Sequence, residues 1–279
     1  MRIACHRSFA QAFILGLTTS LLASCGGGGG TDLGGGASDG DGTSGGGSGA
    51  GFAGAYVGTN LLRCDVQAML ALVTEEGRIA DFHSVGAEMD YGVGLAEVGA
   101  ISGSGPTYSA SVTEYRGEGP TFLTQAAVDP GDASVEIVSV SNGGFVVRWP
   151  DRQQDFCTET QVTLTPSRSL YVRPASLEKL AGVYSGNIPG YAIALSVDSN
   201  GQLSGSDGQG CVISGSVTVP HPDRNYYGIA ATVESCLSEG DYAGEALLAD
   251  GMNGGQDNLL LLDLVHAGKG LAINLALSR

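Results

Sequence analysis

The side chains of this chain that are able to do chemistry are few, and their spacing decides what chemistry is open to them. Six cysteines occur, at positions 5, 25, 64, 157, 211 and 236, with histidines at 6, 83, 221 and 266. No two cysteines are spaced C-x-x-C, and only His83, His221 and His266 lie beyond the first 24 residues. A four-ligand zinc site is therefore not expected. None of the three histidines belongs to a recognisable nucleophile motif, and each reads as a surface or strand-end residue. Asp151 with Asp155, and Glu239 with Asp241, have the types for acid–base work. They sit among Gly, Ser and Gln, and read as solvated turns. Gly42-Thr43-Ser44-Gly45-Gly46 fits G-x-S-x-G without the strand before and helix after that a nucleophile elbow needs. Gly92-Val93-Gly94 lacks the third glycine and the βαβ setting of a dinucleotide loop. Asp198-Ser199-Asn200-Gly201 and Ser206-Asp207-Gly208 have calcium-loop residues but no ladder ending in Glu. The expectation is no catalytic set, no cofactor and no metal: not an enzyme. Trp149, Tyr184, Tyr191, Tyr226, Tyr227 and Tyr242 have the types of a binding face, although strand aromatics more often fill a core.

What positions these residues begins with the first 25. Arg2 and Arg7 precede an apolar stretch from Phe9 to Leu22, interrupted by Gln11, Gly16 and Thr18 to Ser20. It is shorter than the roughly 20 residues a membrane helix needs, and it reads as a removable signal peptide. Leu22-Ala23-Ser24-Cys25 closes it. This segment resembles the lipobox of bacterial lipoproteins: an aliphatic residue, two small residues and a cysteine. The resemblance implies cleavage before Cys25, diacylation of its sulfur and acylation of the new amine. It thus implies a membrane anchor made of lipid, and more than one chain makes such an anchor stable. Gly26 stands where aspartate is the usual inner-membrane retention signal in that family, which points to the outer membrane.

Loss of residues 1–24 removes two arginines and no acid, leaving 11 basic against 29 acidic residues, a net charge of −18. Such acidity argues against nucleic acid as a partner, since its recognition needs a basic face. It argues equally against docking on anionic lipid headgroups. Four cysteines remain after Cys5 leaves with the signal and Cys25 takes lipid. An even number in an exported chain reads as two disulfides. Of three possible pairings we expect Cys64–Cys157 and Cys211–Cys236, because each then stays within one half of the chain.

Residues 25–51 carry the lipidated cysteine and a run of Gly, Ser, Asp and Thr that cannot bury a core, so they read as a flexible tether. Beyond them the texture is β throughout, short runs of Val, Ile, Leu, Tyr and Thr between Gly, Asn, Asp and Pro turns. Val66 to Thr74 is apolar enough for helix or strand, and Leu177 to Leu180 reads as a single helical turn. Phe52-Ala53-Gly54-Ala55-Tyr56-Val57-Gly58 matches Leu180-Ala181-Gly182-Val183-Tyr184-Ser185-Gly186 at Ala, Gly, Tyr and Gly. Each half also owns two cysteines. We therefore expect an all-β protein of two tandem small antiparallel barrel or sandwich domains, 52–168 and 176–279, joined near Pro166 to Pro174. One larger sandwich or barrel is the alternative.

The second half is the clearer. Eight strands are expected: Gly182–Gly186, Tyr191–Asp198, Gln202–Ser206, Cys211–Val219, Tyr226–Ser235, Tyr242–Ala249, Leu259–Val265 and Leu271–Leu277. Short turns make neighbours antiparallel, and eight strands suit a closed barrel. Asp198 to Gly201 has hairpin-turn chemistry. Folding about His221-Pro222-Asp223-Arg224-Asn225 sets Cys211 opposite Cys236. That register also puts Glu234 on the face of Ile213 and Val217, unless a bulge at Gly215 or Gly228 re-aims it. The small residues of the strand ending at Asp198 look suited to a tight interior. Leu259-Leu260-Leu261-Leu262 is apolar on both faces and must be covered on both.

With its lipobox, Gly-rich tether, G-x-Y-x-G strand openings and eight short strands, the chain resembles the small Gly-rich β-barrel domains of Gram-negative surface lipoproteins, such as the barrel lobes of transferrin-binding-type receptors. No ligand motif of that family is matched, so no binding residue is implied. The function expected is that of a non-catalytic, membrane-anchored envelope or surface lipoprotein, a binding or structural module. The alternative is an exported hydrolase or inhibitor-like module with a site of loop carboxylates.

Overall fold

The computed structural model describes residues 52–61, 66–84, 95–102, 107–116, 125–139, 143–148, 161–188, 191–250 and 255–279. Cys25, Cys64, Cys157, Trp149, Asp151, Asp155 and the tether lie outside the described residues, as do Gly92 to Gly94. The protein is all-β, and among the described residues the strands occur in two groups of eight. The first group is β1 (Gly54–Leu61), β2 (Val66–Val73), β3 (Arg78–Ser84), β4 (Leu95–Ser102), β5 (Thr107–Arg116), β6 (Gln125–Ser139), β7 (Phe145–Arg148) and β8 (Gln161–Pro166). Val66 to Val73 is thus strand, the state its β-branched ends favour. Two one-turn helices follow, α1 (Arg168–Tyr171) and α2 (Leu177–Leu180). The Ser176 hydroxyl caps α2 by accepting from the Lys179 N–H at 3.1 Å.

The second group is β9 (Gly182–Ile188), β10 (Tyr191–Val197), β11 (Gln202–Asp207), β12 (Val212–Thr218), β13 (Tyr227–Glu234), β14 (Gly240–Ala249), β15 (Leu259–His266) and β16 (Leu271–Ser278). All eight expected strands are present. Each pairs antiparallel with the next, and Ser278 pairs with Ser185 to close the ring. The first group forms a curled antiparallel sheet whose β8 returns to β1 over three residues. In that sheet, Pro130 falls where the β5–β6 register shifts, an irregularity that tolerates a residue without an N–H. The two groups join edge to edge where Leu271 and Ala272 of β16 pair with Ala126 and Gln125 of β6.

Strict alternation fills the second barrel. Ile193, Leu195 and Val197, then Tyr227, Ile229 and Val233, then Leu260, Leu262 and Leu264 all point inward and are almost fully buried. The interior is held open by no small-residue layer. Ala192 and Ala194, expected inside, face solvent instead. Large side chains take the interior, and tightness comes from glycines within the strands: a Cβ on Gly215 or Gly244 would collide with the neighbouring backbone. Leu261 alternates outward, with Leu247 and Ala249 of β14, and meets Ala55, Leu72 and Ala80 of the first group. The two-faced strand is thus covered on one side by its own barrel and on the other by its twin.

The repeat noted in the sequence has a structural basis. The hydroxyl of Tyr56 donates to the Phe52 carbonyl at 2.7 Å, and that of Tyr184 to the Leu180 carbonyl at 2.6 Å. Gly240-Asp241-Tyr242-Ala243-Gly244 opens β14 in the same way, Tyr242 donating to the Ser238 carbonyl at 2.8 Å. Each tyrosine buries its ring while its polar tip reaches back four residues. The Asp198 turn also forms as expected. The Asp198 carboxylate accepts the backbone N–H groups of Asn200 and Gln202, both at 2.8 Å, and Gly201 takes φ of 80°.

The β12–β13 register corrects the expectation. Val212 faces Glu234 and Ile213 faces Val233 without interruption to Thr218 and Gly228. Glu234 is therefore exposed, not beside Ile213, and no bulge intervenes at Gly215 or Gly228. Continuing this register sets Cys211 against Ser235. The disulfide Cys211–Cys236 nonetheless forms, with Cα atoms 5.0 Å apart. Ser235, in left-handed backbone at φ of 66°, supplies the extra residue that turns Cys236 back toward Cys211.

Candidate functional site

Among the described residues, most of those singled out in the sequence are spent on structure. The Asp207 carboxylate accepts the N–H groups of Gln209 and Cys211, as Asp198 does in its own turn. The N–H group of Gln202 above all, and that of Asn200, hold the Asp198 carboxyl below its usual range. Glu239 lies in a turn, whereas Asp241 is within β14 and accepts from the Thr232 hydroxyl at 2.8 Å. His266 ends β15. Its Nδ1 accepts the N–H groups of Gly268 and Lys269, and its ring stands edge-on to Tyr242. His83 lies on β3 opposite Met69. Tyr184, Tyr227 and Tyr242 fill the second barrel, so they form no outward face.

The residues the fold does bring together lie in the seam between the two groups, and most were not singled out in the sequence. A single hairpin turn, Thr74 to Arg78, projects from the first sheet onto the second barrel. Glu75 Oε1 accepts from the Tyr171 hydroxyl and from Arg224 Nε, each at 3.0 Å. Arg224 also lies over the Tyr171 ring at 5.6 Å, and Tyr171 stacks parallel to Tyr226. Glu76 Oε1 is 3.4 Å from His221 Nε2, and Arg78 pairs with Glu245 at 3.0 Å. His221, which the sequence left as a surface residue, is therefore a seam residue. Asn225 anchors the loop that carries it: its amide donates to the carbonyls of Leu170 and Leu248. Behind this rim, Glu245 and Asp263 face each other on neighbouring strands, and Asn274 continues the row on β16. Glu245 and Asp263 are both buried.

Electrostatics follow from this burial. Loss of water pushes the Glu245 carboxyl up; Arg78 pulls it part of the way back, and Glu76 raises it again. At Glu76, burial raises the carboxyl, but hydrogen bonds from its own N–H, from Thr74 and from His221 outweigh it and leave a net lowering. Burial, reinforced by the Glu75 charge, holds the Tyr171 phenol far above its ordinary range. Burial likewise pushes Tyr226 up to about 12. Both phenols therefore stay protonated at neutral pH. Tyr171 serves Glu75 as a donor, not as a base. Each rim carboxylate has a cation or hydroxyl on it, an arrangement that joins two bodies.

Further along the linker, Arg173 grips Asp250 through both terminal nitrogens at 2.6 and 2.7 Å and reaches Asp257 at 3.1 Å. Lys179 also bonds Asp257. Among the described residues no group of three His, Cys, Asp or Glu is placed to hold a metal ion. Comparison with known proteins returned no matching family model, no matching curated protein and no matching solved structure.

A signal for the missed seam was present in the sequence. Glu245 leads directly into the apolar run Ala246-Leu247-Leu248-Ala249, and Asp263 is the one carboxylate within Leu259 to Leu264. Charges so placed are seldom buried without a partner. The turn acids Glu75 and Glu76 carried no such mark, because an acidic hairpin turn is ordinary on a surface.

Proposed function

We propose that this protein is a non-catalytic lipoprotein of the bacterial envelope, anchored through lipid on Cys25 and acting as a binding or structural module. The observation that carries the reading is how the polar and aromatic groups are used. Tyr184, Tyr227 and Tyr242, with Leu195, Leu260, Leu262 and Leu264, fill the interior of the second barrel, and the seam carboxylates hold the two groups together. Asp198 and Asp207 are thereby committed to turns, and Glu75 and His221 to the seam. Net acidity supports attachment by acyl chains over attachment by charge. Gly26 after the cysteine supports the outer membrane. Within this reading, Cys64 pairs with Cys157.

Labelling cells with radioactive palmitate tests the anchor. The wild-type chain should take label and sediment with membranes, and Cys25→Ser should do neither. Label retained by Cys25→Ser would refute the anchor. Turnover of a generic esterase, glycosidase or peptidase substrate, abolished by a point substitution, would refute the non-catalytic part.

A further inference from the structure

We infer that the β13–β14 loop, Ser235 to Glu239, is a docking tip whose Leu237 enters an apolar pocket rimmed by lysine or arginine on a partner protein. This rests on the proposed reading as a binding module and names its partner by chemistry. Leu237 is 102% exposed, while Val183, Val172 and Val212 range from 63% down to 46%. A single exposed leucine needs no explanation on an ordinary surface. This one stands on a loop tied at Cys236, Ser238 and Glu239, with no tie made by the leucine itself. Cys236 is bonded to buried Cys211, and its carbonyl accepts from the Glu239 N–H at 3.3 Å. The Ser238 carbonyl accepts from Tyr242, and the Glu239 carbonyl accepts from Lys269 Nζ at 2.7 Å. Ser235 holds left-handed backbone at φ of 66°, a conformation that costs a residue with a Cβ and persists only where neighbours enforce it.

The consequence is pre-organisation. A leucine held out on a rigid turn has already lost the freedom that binding would otherwise remove, and central apolar anchors seated in pockets carry much of the energy of protein interfaces. Charge selects among occupants. Glu234, Glu239 and Asp241 flank the tip and are exposed, against one cation, Lys269. A pocket with a basic rim complements them. A second copy of this chain, of formal net charge −16, and an anionic lipid surface would both be repelled.

The experiment places the photo-crosslinker p-benzoylphenylalanine at position 237 of the full-length chain in living cells. The comparison position is 209, in the β11–β12 turn at the same end of the barrel. Position 237 should give a discrete adduct with one protein, mapped to an apolar pocket beside Lys or Arg, and position 209 should not. Adding Glu234→Lys with Glu239→Lys should cut the yield roughly tenfold or more. Co-expressed excess of the chain with Leu237 intact should suppress the adduct. The Leu237→Asp chain should not suppress it, although its melting temperature should equal that of wild type, since the side chain buries nothing in the fold. The inference is overturned by no adduct, by an adduct with lipid or a second copy, by equal yield from position 209, or by indifference to charge reversal. Those failures leave palmitate labelling and the absence of turnover untouched, so the underlying reading stands or falls separately.

Discussion

At the residue scale, the chain spends its carboxylates on geometry. Asp198 and Asp207 each replace a backbone partner in a turn, and Glu75 takes two donors at once across the seam. Glu245 is the exception, because burial opposes its charge. Its folded carboxyl titrates above the unfolded value of about 4.3. The folded state thus binds the proton more tightly than the unfolded state does. The stability this contributes is fully present below the unfolded value and is lost as pH rises through the folded one. Glu245→Gln removes that loss. Its melting temperature relative to wild type should therefore climb as pH goes from 4 to 8, followed by circular dichroism. A difference that stays flat with pH would contradict the burial argument. Loss of Arg78 as a partner is a small offset, since its guanidinium is well exposed and remains solvated.

At the scale of the element, the G-x-Y-x-G opening is a device for starting a strand. In the first copy the glycine leaves room for the ring two residues on. At Gly54 a Cβ would press on the Tyr56 ring at 3.1 Å. The hydroxyl then reaches the carbonyl four residues back. Tyr184→Phe removes that donor and leaves the buried Leu180 carbonyl one bond short, a cost of about 1–2 kcal/mol. Arg279 also loses a hydroxyl partner. The unfolding midpoint in urea should fall without change of slope. A midpoint equal to wild type would show that the ring alone opens the strand.

For the whole molecule, the question is whether the two groups are independent. Leu247, Leu261 and Tyr226 are buried only by being pressed between them. Separating the groups returns roughly 2 kcal/mol per leucine to water and strands Glu245 and Asp263 beside an uncovered apolar patch. Residues 176–279 expressed alone should therefore fold as a barrel yet self-associate in light scattering and bind a dye specific for apolar surface. Replacing both leucines, Leu247→Thr and Leu261→Thr, should restore a monomer. A monomeric, dye-silent wild-type fragment would show that the seam is incidental to solubility.

How much of this was legible without the structure divides along a physical line. The period-two alternation of apolar residues is local, so the eight strands from Gly182 to Ser278, their inward faces at Leu260, Leu262 and Leu264, and the pairing of Cys211 with Cys236 could all be read from the chain. Strand register is not local. One left-handed residue, Ser235, slips Glu234 from the core face to the solvent face, and nothing in the serine itself announces it. The interior of β10 went the other way from expectation, because which side of a strand is crowded depends on the seven strands around it. The seam was the least legible. Glu75 and Arg224 lie 149 positions apart. Only the joining of the curled sheet to the barrel brings the Glu75 oxygen onto Arg224 and Tyr171. What the sequence determined was the alternation within each strand and the need to cover Leu261; what covered it, and which charges came with the cover, was decided by the tertiary contact, since burial is a property of the pair of surfaces and not of either alone.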